Sequence, residues 1–447
     1  MKTKLLFLLL LISLDFFAQE HFLGINTSRR VGLLNTQENP AELTNLTHKF
    51  DVNLFNISIQ AANNKFSFKD LINDNKTFDD YKNDLYTSNT PFSTNIDTKV
   101  NLLGLAFKYK DWGFSISNNV YGKFTMTDVN PKLIEVIESD FEQATYIESK
   151  DNQRINAIVY SEIALAAAKN IYKTEKHTLN VGVSLKLLSP EAYSNLGVKN
   201  LKGTFSNQLN KDTFMQGATA EIDLSYAGQL TDDFENNSYS LFSMGIKGVA
   251  ADLGINYQLK NEDLTYAYKL NAGISIQNIG SMTFKNNAQH HTYQLAIPEN
   301  ASFDISKFED VTSAEEFNKI LEESGYYTAT SSGDNIKVNL PTTISLYADY
   351  QVYNNWFATV YTKQKLSKNN KNKNFPTFNT FSIIPRYSSN FFEAYTPLSF
   401  NEVSKFTAGL GIRLGGFYIG SSSIFTALGN NAKHFDVHIG ARFGLVK

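Results

Sequence analysis

The chain has no cysteine, nine prolines and two tryptophans in 447 residues. Zero cysteines exclude a disulfide framework, thiolate zinc ligation, thiol catalysis and lipidation on an amino-terminal cysteine. Charge is also scarce. Asp, Glu, Lys and Arg make up 19% of residues, and 41 basic against 44 acidic residues leave a formal charge of −3. So balanced a chain carries no electrostatic footprint for nucleic acid. Long apolar runs are missing too. No stretch beyond the leader reaches 18 consecutive apolar residues, so helices do not take this chain across a bilayer. The aromatic content of 34 Phe and 23 Tyr excludes intrinsic disorder.

What is present begins with an address. Lys2 and Lys4 precede an apolar run from Leu5 to Leu14, and Phe16, Phe17 and Ala18 lead into Gln19. The pattern predicts a Sec signal peptide over 1–18, with a buried amino-terminal helix as the alternative. An exported chain without spanning helices is either a secreted soluble protein or a β-barrel.

Beyond residue 48 the dominant signal is period two. Phe435, Val437, Ile439, Ala441 and Phe443 oppose Asp436, His438, Gly440, Arg442 and Gly444. The stretches 112–125, 177–188, 218–227 and 266–277 alternate in the same way. Alternation puts one greasy and one polar face on each strand. These stripes run about 10 to 14 residues, the length of tilted membrane strands rather than of soluble ones. Aromatics close the stripes at Trp112, Tyr257, Tyr266, Tyr350, Trp356, Phe435 and Phe443, where an interfacial girdle lies. Connections also alternate between short and long, as expected of periplasmic turns and outer loops. The expected fold is all-β, a transmembrane antiparallel β-barrel of 14–16 strands. Parity leans to 16, with 197–209 and 390–400 as the added strands. Gly, Ser and Asn dominate the polar faces, which suits a lumen holding water and a plugging segment.

Residues 19–48 do not alternate. Lipid cannot satisfy irregular backbone, so the barrel mouth or lumen is their expected place, as a hatch; a loose periplasmic tail is the alternative. Residues 49–447 then form the barrel. Asn130-Pro131 ahead of Leu133, Ile134, Ile137 and Phe141 predicts a capped helix, and Ser313 with Glu316 a second, stopped at Gly325. Such helices either cover the mouth or decorate the surface.

Searches for chemistry find little. There is no G-x-S-x-G, Walker loop, H-E-x-x-H or calcium loop. Gly409-x-Gly411 with Gly415 and Gly416 lies inside an alternating stripe and reads as strand glycines and a turn. His290-His291 reads as solvated loop before metal ligands. No catalytic residue, metal or cofactor is expected, and the protein is not expected to be an enzyme. The inward charges are the best hint: Glu162, Glu221, Asp223, Asp252, Asp349, Arg413, His438 and Arg442 fall on predicted lumen faces. They either tune permeation or pin the hatch.

Several segments resemble a known group. Asn39-Pro40-Ala41-Glu42-Leu43 is similar to the N-P-A-x-L signature of FadL-like outer-membrane proteins. Gly248-Val249-Ala250-Ala251-Asp252-Leu253-Gly254-Ile255-Asn256-Tyr257 and Asn278-Ile279-Gly280 resemble strands of PorV-like barrels of Bacteroidota. Arg413 to Gly420 and His438 to Leu445 resemble the closing strands. The resemblance implies a barrel with a hatch at Asn39, Pro40, Ala41 and Leu43. It also implies either passive uptake of small hydrophobic molecules or a PorV-like role beside type IX secretion. The expected setting is the outer membrane of a Gram-negative bacterium. The expected protein is a monomer in outer-membrane lipid, with hydrophobic small molecules or other envelope proteins as further partners and no nucleic acid.

Overall fold

The computed structural model describes residues 20–69, 77–138, 143–207, 212–228, 241–242, 244–261, 268–308, 311, 313–366, 379–401, 405–429 and 432–445. The expected signal peptide, 1–18, and Tyr266 of the expected girdle lie outside them. The strands, in chain order, begin with β1 (Phe50–Asn63), β2 (Phe92–Asn101), β3 (Gly104–Tyr109), β4 (Trp112–Val129), β5 (Thr145–Lys173), β6 (His177–Asn207) and β7 (Thr213–Gly228). They continue with β8 (Gly248–Leu259), β9 (Leu270–Phe284), β10 (Gln289–Ala296), β11 (Ser302–Asp304), β12 (Tyr327–Gly333), β13 (Ile336–Asn339), β14 (Thr343–Tyr353) and β15 (Trp356–Lys365). The last are β16 (Thr380–Ser388), β17 (Phe392–Tyr395), β18 (Leu398–Asn401), β19 (Lys405–Ala408), β20 (Leu410–Leu414), β21 (Phe417–Ser421) and β22 (His434–Leu445).

Antiparallel pairing leads from β1 through β2 and β3 to β4, then β5, β6, β8, β9, β14, β15 and β16. It continues through β17 and β18 to β19 and β20, then β21 and β22, and returns to β1, where Phe50 faces Leu445. The sheet closes on itself. Four pairs, β2 with β3, β13 with β14, β17 with β18 and β19 with β20, are each one interrupted strand, so the wall has fourteen staves. The short connections 110–111, 174–176, 354–355, 389–391 and 415–416 all lie at the end where β1 begins.

The count sits at the low end of the expected range, for a specific reason. The stretch 390–400 is a stave, but 197–207 of the expected 197–209 is the upper half of β6, with 208–209 outside the described residues, and 213–227 has left the ring. Above the wall, β6 pairs with β7, β7 with β10 and β11, and β10 with β12, forming an outer flap. The apolar stripe of β7 (Ala218, Ala220, Ile222, Leu224, Tyr226) does not meet lipid. It packs with Phe205, Tyr293, Leu295 and Phe303 under two helices. The helices include α1 (Leu33–Glu38), α2 (Phe78–Tyr86), α3 (Pro131–Glu138) and α4 (Ala314–Glu323). Helices α3 and α4 lie where Asn130-Pro131 and Ser313 predicted them, with Ser313 accepting the Glu316 N–H at 3.1 Å. Val136 of α3 and Leu321 of α4 bury themselves on the flap sheet, so these helices cover the flap rather than the mouth. Helix α2, opened by a reciprocal Thr77–Asp80 cap, was not anticipated.

The wall itself is inside-out. Leu54, Ile116, Leu185, Leu253, Ile274, Leu346, Val360 and Ile412 are exposed on its outer face. Inward neighbours on the same strands, such as Asn56, Ser117, Ser184, Asp252, Ser275 and Ser345, are buried. Tyr109, Trp112, Tyr350, Tyr353 and Trp356 stand exposed beside the short turns, at the expected girdle. An apolar belt facing outward and a polar lumen define a transmembrane barrel. Leu253→Arg should therefore lower stability in lipid by about 2–4 kcal/mol in urea titrations of the folded band. Ile222→Asp should open the flap to protease and leave that band intact. Equal effects at both sites would contradict the two surroundings.

Candidate functional site

Residues 20–48 pack inside the ring against inward-facing residues of the wall. Their conformation is written locally: Asn39 is extended and its side chain accepts the Ala41 N–H at 3.0 Å, while Pro40 opens the 3₁₀ turn Pro40–Asn45. Asparagine at a cap and proline at the first helical position suit both roles, because proline has no N–H to leave unpaired there. Phe22, Leu23, Ile25, Val31 and Leu34 form an apolar knot against Tyr347, Tyr361, Ile384, Tyr395 and Tyr418 of the wall.

The seat beneath this segment is a cross-strand row of small residues. Gly113 faces Ala168, Ala168 faces Gly182, Gly182 faces Gly254, Gly254 faces Ser275, and Ser275 faces Ser345. The hatch lies along that row. A Cβ on Gly113 would stand 2.6 Å from the Leu43 carbonyl, one on Gly182 2.4 Å from the Ala41 nitrogen, and one on Gly254 2.0 Å from Asn39 Oδ1. Farther along, Ser275 donates to the Glu38 carbonyl at 2.7 Å, Ser345 donates to the Glu38 carboxylate at 2.6 Å, and Lys363 reaches it at 3.5 Å. Glu42 is held by Asn256 at 3.0 Å, Asn271 at 2.8 Å, Asn45 at 2.7 Å and the Tyr347 hydroxyl.

The eight inward charges read from alternation separate into three places. At the inner rim, Asp349 accepts from Arg386 and Tyr268, each at 2.6 Å, and Arg413 lies 3.4 Å from Glu393. Glu393 also accepts the Ser28 hydroxyl at 3.1 Å, and Asp51, paired with Arg442, accepts the Leu33 N–H at 3.3 Å. The rim pairs thus hold the hatch directly. His438 bonds the Tyr395 hydroxyl at 2.7 Å beneath the Phe22 ring. Higher in the lumen, Glu162 and Asp252 share Lys186, at 3.9 and 2.7 Å. Glu221 and Asp223 are corrected: both stand on β7 of the flap, outside the ring, with Lys199 at 3.8 Å from Glu221 and Arg154 at 3.8 Å from Asp223. Alternation cannot tell a stave from a strand that has left the wall. His290 and His291 lie on β10 and point to opposite faces, His290 to Ser225 and His291 onto the Tyr293 ring, so they cannot share an ion. Among the described residues no group of three or more metal-ligating side chains occurs.

Between hatch and wall lies a cavity of about 130 Å³, bounded by Glu20, His21, Lys99, Tyr121, Lys186 and Lys363 among others. The lysines here were not singled out from sequence, since a lysine on a polar stripe looks like any solvated one. Two hatch groups carry opposite pH dependences. Glu20 and Glu38 share Lys363, and Glu38 has two further hydroxyl donors, so it keeps its charge. Burial pushes the Glu20 carboxyl up to about 7. Burial also holds the His21 imidazole below its ordinary value, against the pull of Asp97 at 3.1 Å. Above the cavity, toward the long loops, Ile158, Tyr160, Leu188, Tyr193, Met282 and Phe284 pack together as a buried apolar collar.

The profile of a family of unknown function (DUF5723) matches residues 40–422. No curated protein matches the sequence. Among solved structures, the toluene transporter TodX of P. putida aligns at 9% identity over 93% of this chain and 95% of its own, with a TM-score of 0.46. A Pseudomonas aeruginosa FadL homologue aligns at 8% identity over 96% of this chain and 99% of its own, with a TM-score of 0.24.

A docked Glu20 keeps its proton where a released one has lost it. This group therefore weakens hatch docking as pH rises from the ordinary 4.5 to about 7. His21 acts oppositely and weakens docking as pH falls through 6.5. Glu20→Gln should flatten the first limb of a hatch-proteolysis profile and keep the second. Glu42→Leu strands Asn256 and Asn271 and should cost about 3 kcal/mol of hatch docking, read by hydrogen exchange of 33–45.

Proposed function

This chain belongs to the DUF5723 family, and we propose that it is an outer-membrane barrel for passive uptake of small, largely hydrophobic molecules, gated by residues 20–48. The observation that carries this reading is the placement of Asn39-Pro40-Ala41 inside a closed ring, held only by hydrogen bonds, ion pairs and packing. Such a plug can leave without breaking the wall. The exposed apolar belt supports a membrane setting, and the alternation of short and long connections supports the outer membrane, with long loops outward. The apolar collar supports a hydrophobic cargo, which would enter it from outside, displace the hatch and pass on without a cofactor. One copy contains the whole path.

A second reading, an interaction platform for envelope proteins, draws on the flap. Among the described residues β12 pairs on one side only, and Thr328 to Gly333 are exposed with no charge or proline guarding that edge. Thr330→Pro should abolish any partner recovered in mild detergent if this reading is right.

Uptake is tested in liposomes with labelled small aromatics or fatty acids. Flux should exceed bare lipid by about tenfold or more. Leu43 and Ala168 pack in one cluster, and in a chain with no cysteine a Leu43→Cys/Ala168→Cys pair can be linked selectively. The oxidised lock should bring flux down to the bare-lipid rate, and reductant should restore it. Flux no faster than bare lipid, or flux indifferent to the lock, would overturn the proposal.

A further inference from the structure

The cavity between hatch and wall has an uneven charge pattern. Five carboxylates border it, and each is engaged. Glu20 has Lys363 at 3.1 Å, and Glu38 has the same ammonium at 3.5 Å. Asp97 has Lys123 at 2.6 Å and His21 at 3.1 Å. Asp252 has Lys186 at 2.7 Å, and Glu162 accepts from Asn119 at 2.8 Å with Lys186 at 3.9 Å. Three of the four lysines are thereby used. The fourth, Lys99 on β2, borders the same cavity, and among the described residues no carboxylate forms an ion pair with it. Its ammonium lies 5.7 Å over the Tyr121 ring, and Tyr121 stacks on Tyr160 with centroids 4.7 Å apart and planes 14° apart.

We propose that Lys99 and the Tyr121–Tyr160 pair form a subsite for a small aromatic carboxylate, the carboxylate meeting Lys99 and the ring lying along the tyrosines. This deepens the uptake reading and rests on it. An unmatched ammonium in a narrow cleft is costly, and an anion that arrives with its own apolar body relieves that cost. A flat ring gains contact with two aligned tyrosines. Tyr160 also belongs to the buried apolar collar above the cavity, so the subsite borders that collar directly. A cationic cargo would find no free acid here. Five acids border the cavity against four lysines, but every one of those acids is already engaged, whereas Lys99, among the described residues, is not. Geometry then decides over net charge.

The test uses the full chain in detergent, with benzoate and its neutral isostere benzamide as probes in titration calorimetry. Neutral small-aromatic uptake is measured in liposomes in parallel. Benzoate should bind at least tenfold more tightly than benzamide. Lys99→Met should erase that difference, Lys99→Arg should restore it, and both variants should keep the heat-resistant folded band. Equal binding of the two probes by the unmodified chain, or a preference that survives Lys99→Met, would overturn the subsite; neutral-aromatic uptake persisting in either case leaves the uptake reading standing. A Lys99-dependent benzoate preference with no liposome uptake would keep the subsite and remove the transport role.

Discussion

The structure depends on how closely one stretch of backbone approaches a wall. Leu43 to Asn39 lies on Gly113, Ala168, Gly182 and Gly254, four residues in cross-strand register that have a methyl group or nothing at all to offer. Ser275 and Ser345 extend the row and turn from steric accommodation to hydrogen bonding of Glu38. Dispersion falls steeply with separation, so contact this intimate needs the side chains removed on one partner. Proline and the asparagine cap stiffen the other partner before it docks.

Around that seat the lumen is polar by necessity. Outward positions are given to lipid, and inward positions must satisfy one another or the hatch. Arg386, Asp349, Glu393 and Arg413 are buried as a connected set, and Ser28 joins it from the hatch. Buried ion pairs of this kind add little stability relative to apolar packing, but removing one member strands a charge. Their effect is to specify where the plug sits. In the cavity between hatch and wall, Lys99 has no carboxylate ion-pair partner among the described residues.

Much of the fold was legible in the strands, because period two survives wherever one face meets lipid and the other does not. Ile116, Leu185 and Leu253 were readable as outward and Asp252 and His438 as inward without any knowledge of neighbours. The flap is not distinguishable from the wall for the same reason: Ile222 and Leu224 are greasy on one side, and helices cover them as well as hydrocarbon would. Asn39-Pro40-Ala41 was legible as a motif, yet its partner row was not. Gly113, Ala168, Gly182 and Gly254 are separated by tens of residues, and only register brings them together. Lys99 was illegible for a related reason, since the lack of an ion-pair partner is a property of the closed ring and not of any one strand.

The most direct measurement is hydrogen exchange across residues 33–45 in a Gly254→Val barrel, compared with the unmodified chain. A side chain at 254 collides with Asn39. The hatch amides should therefore lose protection by about a hundredfold or more, while the wall amides of β8 and β9 keep theirs. A hatch as protected as before would mean that the small-residue row does not hold the plug.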